Sequence, residues 1–143
     1  MPKFDGFQLA VEALQLMDES KRKEILLRIA KMNPKMALRL HQGLFSFDHI
    51  EYLLKEDFKV IWWEVPKKTW HLALRKTTPG IMKMFEQNLS VRAYQTLLEE
   101  IEGLGPQKLS EVVKAQHEIS DTIRRLAGEG RMALPQKNND RMV

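Results

Sequence analysis

The chain has 143 residues, a net charge of +4 and no cysteine, with 43% hydrophobic and 29% charged side chains. This composition is typical of one or two small folded domains rather than of a disordered chain. The absence of cysteine excludes disulfides and thiolate metal sites and fits a reducing compartment. No apolar run reaches the roughly 18 residues that a transmembrane helix needs.

Three short helices are predicted in residues 1–44. Apolar residues recur at helical spacing over about 6–17, and Asp18 and Asn33 are suitable N-caps for the next two helices. Pro34 takes the first position of the third helix, which runs to about Leu44. We interpret residues 1–44 as an armadillo-like three-helix unit that is too small to bury a convincing core alone.

Such a unit is expected to stack on a second helical unit, so self-association through residues 1–44 is predicted. The apolar side chains expected to need this partner are Leu9, Leu14, Ile25, Ile29, Met36 and Leu40.

Two aromatic residues that cannot share a helix face interrupt the periodicity after Leu44. Phe45, Ser46 and Phe47 are therefore predicted to form a hinge between two bodies that can reorient. The domain boundaries follow as 1–44 for the first unit, 45–47 for the hinge and 48–132 for a second helical domain. The aperiodic tail, 133–143, is predicted to be disordered.

The second domain shows helical periodicity throughout, and no strand pattern is present in the sequence. Helices are predicted over about 55–65, 67–75, 79–88 and 111–127, and a further helix follows Ser90 and is ended by residues 103–106. Thr78, Ser90 and Ser110 are the expected N-caps. Trp62 and Trp70 lie on apolar stripes, whereas Trp63 marks a possible exposed patch. The fold class is therefore all-α, with about eight or nine helices.

The helix that follows Ser90 has an ordered set of charges on its polar side. Arg92 lies near its start, and Glu99 and Glu100 follow two turns later. Arg92 and Glu99 are separated by about 10 Å along the axis, too far for a direct ion pair. The usual interpretation of such a face is simple solvation, but these charges are also available to a partner.

Residue patterns for catalysis are lacking. The four histidines, His41, His49, His71 and His117, are scattered and have no second ligand at metal spacing, so each is interpreted as a surface or boundary residue. Adjacent Glu99 and Glu100 diverge by about 100° on a helix and cannot act as an acid–base pair. We therefore predict no enzymatic activity, no metal, no cofactor and no nucleic-acid binding.

Several linked segments resemble the C-terminal part of the flagellar rotor protein family FliG. FSFDHI is similar to the family's M-F-x-F-E-D-I, and SVRAYQTLLEEIEGLGPQKLSEV is similar to its S-x-R-A-A-x-x-L-x-D-D-L-x-x-x-G-P-V-R-L-S-x-V. IRRLAGEGRM resembles R-R-L-A-E-x-G-E-I. The resemblance covers about 44–132 and implies a six-helix bundle, while ILLRIAKMNPKMALRLHQGLF resembles the armadillo-type unit that precedes it.

The resemblance implies a role for the charged helix. In FliG this domain faces the MotA part of the stator, and the family's torque-bearing charges fall here on Arg75, Arg92, Glu99, Glu100 and Lys108. The sign of the charge is kept at each position. Charges at the edge of an interface act by steering the partner, and steering depends on the sign of the charge more than on the residue type. The resemblance also implies a cytoplasmic protein at the cytoplasmic face of the flagellar basal body.

The sequence lacks counterparts of two other FliG parts, the domain that binds FliF and the E-H-P-Q-R motif that contacts FliM. Two hypotheses stay open. In the first, the chain is a rotor module that meets a MotA-type stator and FliG-type or FliM-type rotor subunits. In the second, it is a stand-alone paralogue that acts as an adaptor or regulator without bearing torque.

Overall fold

The computed structural model describes residues 6–135, and this range contains helices and no strand. The predicted all-α fold is therefore confirmed. The helices are α1 (Gly6–Leu16), α2 (Glu19–Met32), α3 (Pro34–Leu44), a 3₁₀ helix (Phe47–Tyr52), α4 (Lys55–Glu64), α5 (Lys67–Ala73), α6 (Pro79–Asn88), α7 (Val91–Gly103) and α8 (Leu109–Gly128). Among the described residues, none of these helices is both long and apolar enough to cross a membrane.

Local capping chemistry sets the starts of four helices. Asp18 Oδ1 accepts a hydrogen bond from Lys21 N at 2.8 Å, and Asn33, Thr78 and Ser90 cap α3, α6 and α7 in the same way. The prediction that Ser110 caps the last helix is wrong. Lys108 O already accepts from Val112 N, so α8 starts at Leu109.

The chain divides into two compact units between Phe45 and Ser46. In the first unit α3 packs against both α1 and α2, and Val11, Leu14 and Leu40 form its small core. Leu9, assigned above to the apolar face, is 44% exposed. Whether this unit is armadillo-like stays a prediction.

One arginine connects α2 to the end of α1. Arg22 Nε donates to Leu14 O at 2.8 Å, and its Nη2 donates to Met17 O at 2.9 Å. These carbonyls lie at the C-terminal end of α1, where helix acceptors lack partners within the helix. Arg22 therefore stabilises the α1–α2 junction.

Replacing Arg22 by alanine is expected to lower the local stability of α1 by about 1 kcal/mol, because three carbonyl groups, those of Leu14, Gln15 and Met17, lose a charged donor. Amide hydrogen exchange of α1 in the full chain measures this change. Arg28→Ala is the control, since Arg28 pairs with Glu24 on the exposed surface of α2 and should change stability by less than about 0.5 kcal/mol. Equal losses of protection in the two variants would contradict the assigned role.

The predicted hinge residues have different surroundings. Phe45 and Ser46 form an extended link between α3 and the 3₁₀ helix, whereas Phe47 lies within that helix. Both phenylalanines are buried. Ser46 N donates to His49 Nδ1 at 3.1 Å, which anchors the start of the 3₁₀ helix. Reorientation about 45–47 stays a prediction.

The second unit contains the 3₁₀ helix and α4–α8, and aromatic rings occupy its centre. Trp70 and Phe85 are fully buried, and their ring centroids lie 5.3 Å apart in an edge-to-face arrangement. Trp62 packs beside both rings, as its position on an apolar stripe predicts. Trp63 is 79% exposed, in agreement with the patch suggested for it.

Residues 133–135, at the start of the predicted tail, include buried side chains and a contact to α4. Leu134 and Pro135 are buried, and Ala133 N donates to Asp57 Oδ2 at 3.3 Å on α4. The predicted disordered tail, 133–143, is therefore wrong for its first three residues, because apolar side chains there are buried. Residues 136–143 lie outside the described range.

An ion-pair cluster joins the end of α8 to the end of α4. Arg125 Nη2 donates to Glu64 Oε1 at 2.8 Å, and Glu129 contacts the same guanidinium. The hydrogen bond from Arg125 lowers the pKa of the Glu64 carboxyl below its ordinary value. This contact lies near the C-terminal segment and helps hold the two helix ends together.

Candidate charged interface

The term charged face is used here for five exposed side chains: Arg75, Arg92, Glu99, Glu100 and Lys108. They come from three segments, the turn after α5, the helix α7 and the start of α8. Because α5 packs against both α7 and α8, all three segments belong to one helical bundle.

Helix α7 is oriented by the side chains that it buries. Ser90 Oγ accepts from Ala93 N at 3.1 Å at the start of the helix, and Leu97 and Ile101 are buried along one side. The opposite side carries Arg92 and Glu99, which lie within about 20° of each other at 100° per residue. The outer ridge of α7 therefore presents a cation at one end and an anion two turns later.

The charges on this ridge are unpaired. Within residues 6–135, neither Arg92 nor Glu99 forms an ion pair or a side-chain hydrogen bond, and the same is true of Arg75 and Lys108. Exposed charges without partners keep their full hydration and their full field towards an approaching molecule. Four of the five positions of the charged face are therefore free to contact a partner.

The turn that carries Arg75 is held by a residue that sequence reasoning missed. Gln116 Nε2, on α8, donates to Ala73 O at 3.0 Å and to Lys76 O at 2.8 Å. These two carbonyls flank Arg75 along the chain. The sequence offered little indication of this role, since Gln116 is simply one polar residue beside the apolar stripe of α8.

Lys108 follows the turn that joins α7 to α8. Gly105 has a φ of 66°, a left-handed conformation that glycine adopts without a steric penalty. Gln107 Nε2 donates to Leu104 O at 2.9 Å across the same turn. The position of Lys108 thus depends on a defined turn between two helices.

Glu100 differs from Glu99 because it has a partner on another helix. His71 Nε2 lies 2.5 Å from Glu100 Oε2, and this contact joins α5 to α7. The His71 side chain is only 14% exposed, whereas that of Glu100 is 46% exposed. The interpretation of His71 as an unremarkable boundary histidine therefore missed a contact to the charged face.

The described residues contain no group of three or more histidine, aspartate or glutamate side chains that could hold a metal ion. What the arrangement offers chemically is a set of exposed charges of both signs on a helical support. Such a surface suits recognition of a charged macromolecule rather than bond making.

Comparisons with known proteins agree with this description. The profile of the FliG C-terminal domain family matches residues 27–134. The flagellar motor switch protein FliG of Aquifex aeolicus is 34% identical over 132 residues, which cover 92% of this chain and 40% of that protein. FliG of Thermotoga maritima is 27% identical over 141 residues, 99% of this chain and 42% of that protein.

Solved structures show the same fold. A crystal structure of FliG residues 116–343 from H. pylori superposes with a TM-score of 0.73 at 26% identity, covering 94% of this chain and 59% of that one. Full-length FliG from Aquifex aeolicus superposes with a TM-score of 0.62 at 35% identity, covering 91% of this chain and 40% of that one.

The chain thus spans about 40% of the length of the motor switch proteins that it matches in sequence. Both relatives are named flagellar motor switch proteins, in keeping with the prediction that the chain is not an enzyme. The profile match covers well over half of the sequence and includes all five positions of the charged face. The chain belongs to the FliG C-terminal domain family.

Proposed function

We propose that this chain is a component of a flagellar motor switch complex and that its charged face meets a MotA-type stator protein at the cytoplasmic face of the basal body. The observation that supports this most directly is that Arg75, Arg92, Glu99 and Lys108 are exposed and unpaired among the described residues. Unpaired charges of both signs steer and align an oppositely patterned partner.

The proposed mechanism is a repeated electrostatic contact, without catalysis. Interactions between exposed charges act over about 8 Å at physiological ionic strength and are weak one by one. A contact of this kind forms and breaks quickly, which suits a rotor surface that passes a stator. The output is therefore alignment and force transfer rather than tight binding.

The first unit is proposed to join the chain to other rotor subunits of FliG or FliM type, or to a second copy of itself. Its exposed apolar side chains support this, namely Leu16, Leu27, Met32 and Leu38. Apolar groups on a small unit lower their free energy when another helical unit covers them. Reorientation at Phe45, Ser46 and Phe47 would then change how the charged face is presented.

Charge reversal tests the proposal. Arg92→Glu and Glu99→Lys, introduced separately into the organism that carries this chain, are expected to impair motility strongly. In a binding assay with the cytoplasmic segment of the stator, combining both should slow association on the order of tenfold at low salt. A stator variant with the opposite reversal should restore motility.

The controls are Lys83→Glu and Glu86→Lys, which make the same charge changes at exposed positions of α6. They should leave motility unchanged. Normal motility with all reversals on α7 would contradict a torque-bearing face. If such variants still enter basal bodies, the alternative role of a non-torque adaptor would be favoured instead.

A further inference from the structure

The two adjacent glutamates of α7 have different environments. Glu99 is exposed and has no partner among the described residues, while Glu100 Oε2 lies 2.5 Å from His71 Nε2. Adjacent residues diverge by about 100° on a helix. Glu99 therefore lies on the outer ridge with Arg92, and Glu100 lies on the side of α7 that meets α5.

The histidine is the fixed member of this pair. His71 lies between fully buried Trp70 and the last residues of α5, and its own side chain is 14% exposed. The end of α5 is in turn held by Gln116 through Ala73 O. The imidazole is thus held by the packing of α5. The half-exposed Glu100 side chain has three rotatable bonds, and the contact with His71 restricts them.

We infer that His71 is a positioning residue of the charged face, and the inference rests on the function proposed above. His71 holds Glu100 through Oε2 and leaves Oε1, which has no partner in residues 6–135, for a lysine or arginine of the partner. Glu100 is then an anion fixed in advance for direct contact, and Glu99 acts as a steering charge. Fixing a flexible side chain in advance removes the entropy loss that binding would otherwise impose.

Two substitutions separate the polar contact with Glu100 from other effects of His71. His71→Leu removes the ring nitrogens and keeps an apolar side chain of moderate size. His71→Gln keeps an N–H donor at about the position of Nε2 but can never carry a charge. His117→Leu is the matched control, because His117 is exposed on α8 and its side chain forms no hydrogen bond or ion pair among the described residues.

The first measurement needs only the purified chain. Side-chain NMR of Glu99 and Glu100 is expected to show a restricted Glu100 in the wild type and a mobile one in His71→Leu, with restriction recovered in His71→Gln. Glu99 should be mobile in all variants, and His117→Leu should match the wild type. A Glu100 that is equally mobile with and without His71 would overturn the positioning role.

The second measurement is binding of the stator's cytoplasmic segment. His71→Leu should weaken binding roughly fivefold, the factor expected when one flexible side chain is no longer ordered in advance. In the Glu100→Gln background His71→Leu should have little further effect, because no anion is left for His71 to order, whereas in the Glu99→Gln background it should keep its full effect. His71→Gln should restore most of the affinity. If His71 only stabilised the fold, affinity would instead follow the thermal stability of each variant.

Independent effects of His71→Leu and Glu100→Gln on affinity would overturn the inference even if the stator segment binds. If the wild-type chain does not bind the stator segment at all, the proposed function and the partner role of Glu100 both fail. The NMR measurement decides the ordering of Glu100 by His71 separately, so the two failures are distinguishable.

Discussion

Replacing Trp70 by alanine is expected to lower the free energy of unfolding by about 3–5 kcal/mol. Trp70 is fully buried, and its ring lies 5.3 Å from that of Phe85 and 6.0 Å from that of Trp62. The substitution removes this contact area and leaves a cavity that the surrounding rings fill only in part. Urea unfolding of the purified chain, followed by far-UV circular dichroism, measures the loss.

Trp63→Ala is the control, because it removes the same side chain from a position that is 79% exposed. It should change stability by less than about 0.5 kcal/mol. Trp70→Phe should cost less than Trp70→Ala, since Trp70 Nε1 is buried with no hydrogen-bond partner among the described residues and phenylalanine removes this donor. Similar losses for Trp63→Ala and Trp70→Ala would contradict the aromatic core.

The second large effect is expected for Gln116→Glu, which should reduce stability by about 2–3 kcal/mol. The side-chain amide donates to Ala73 O and Lys76 O. A carboxylate of the same shape has no proton to donate, so three oxygens would face each other at the end of α5. Thermal unfolding at neutral pH measures the loss.

Gln87→Glu makes the same chemical change at an exposed position of α6 and serves as the control. Its stability should stay within about 0.5 kcal/mol of the wild type. Gln116→Glu should also disorder the turn that carries Arg75, which solution NMR of that backbone amide would detect. An unchanged turn in a destabilised variant would show that Gln116 supports α8 without positioning Arg75.

Helix starts were the most predictable part of the fold. Asn33 followed by Pro34, and Thr78 followed by Pro79, combine a side-chain acceptor with a residue that needs no backbone donor. Both depend on atoms within three residues of each other. The start of α8 was misplaced because Ser110 has the right chemistry, but the preceding backbone is already helical.

At 100° per residue, Leu97, Leu98 and Ile101 all fall on the apolar side of α7. Leu97 and Ile101 are buried, whereas Leu98, at the edge of that side, is 41% exposed. An angular plot shows which side is apolar, but the width of the buried strip depends on how closely the neighbouring helices approach. The width of the buried strip on α7 was therefore decided only by the packing of α5 and α6 beside it.

By itself, the sequence determined the eight α-helices, the caps of α2, α3, α6 and α7, the order of charges along α7 and the resemblance that united Arg75, Arg92 and Lys108. All of these depend on residues that are close in the chain or on a recognisable pattern. Only the tertiary structure decided that Glu100 has a partner in His71, that Gln116 holds the turn of Arg75 and that Leu134 is buried. The physical reason is that a polar contact between helices depends on their relative rotation and spacing to within an ångström, which no local periodicity encodes.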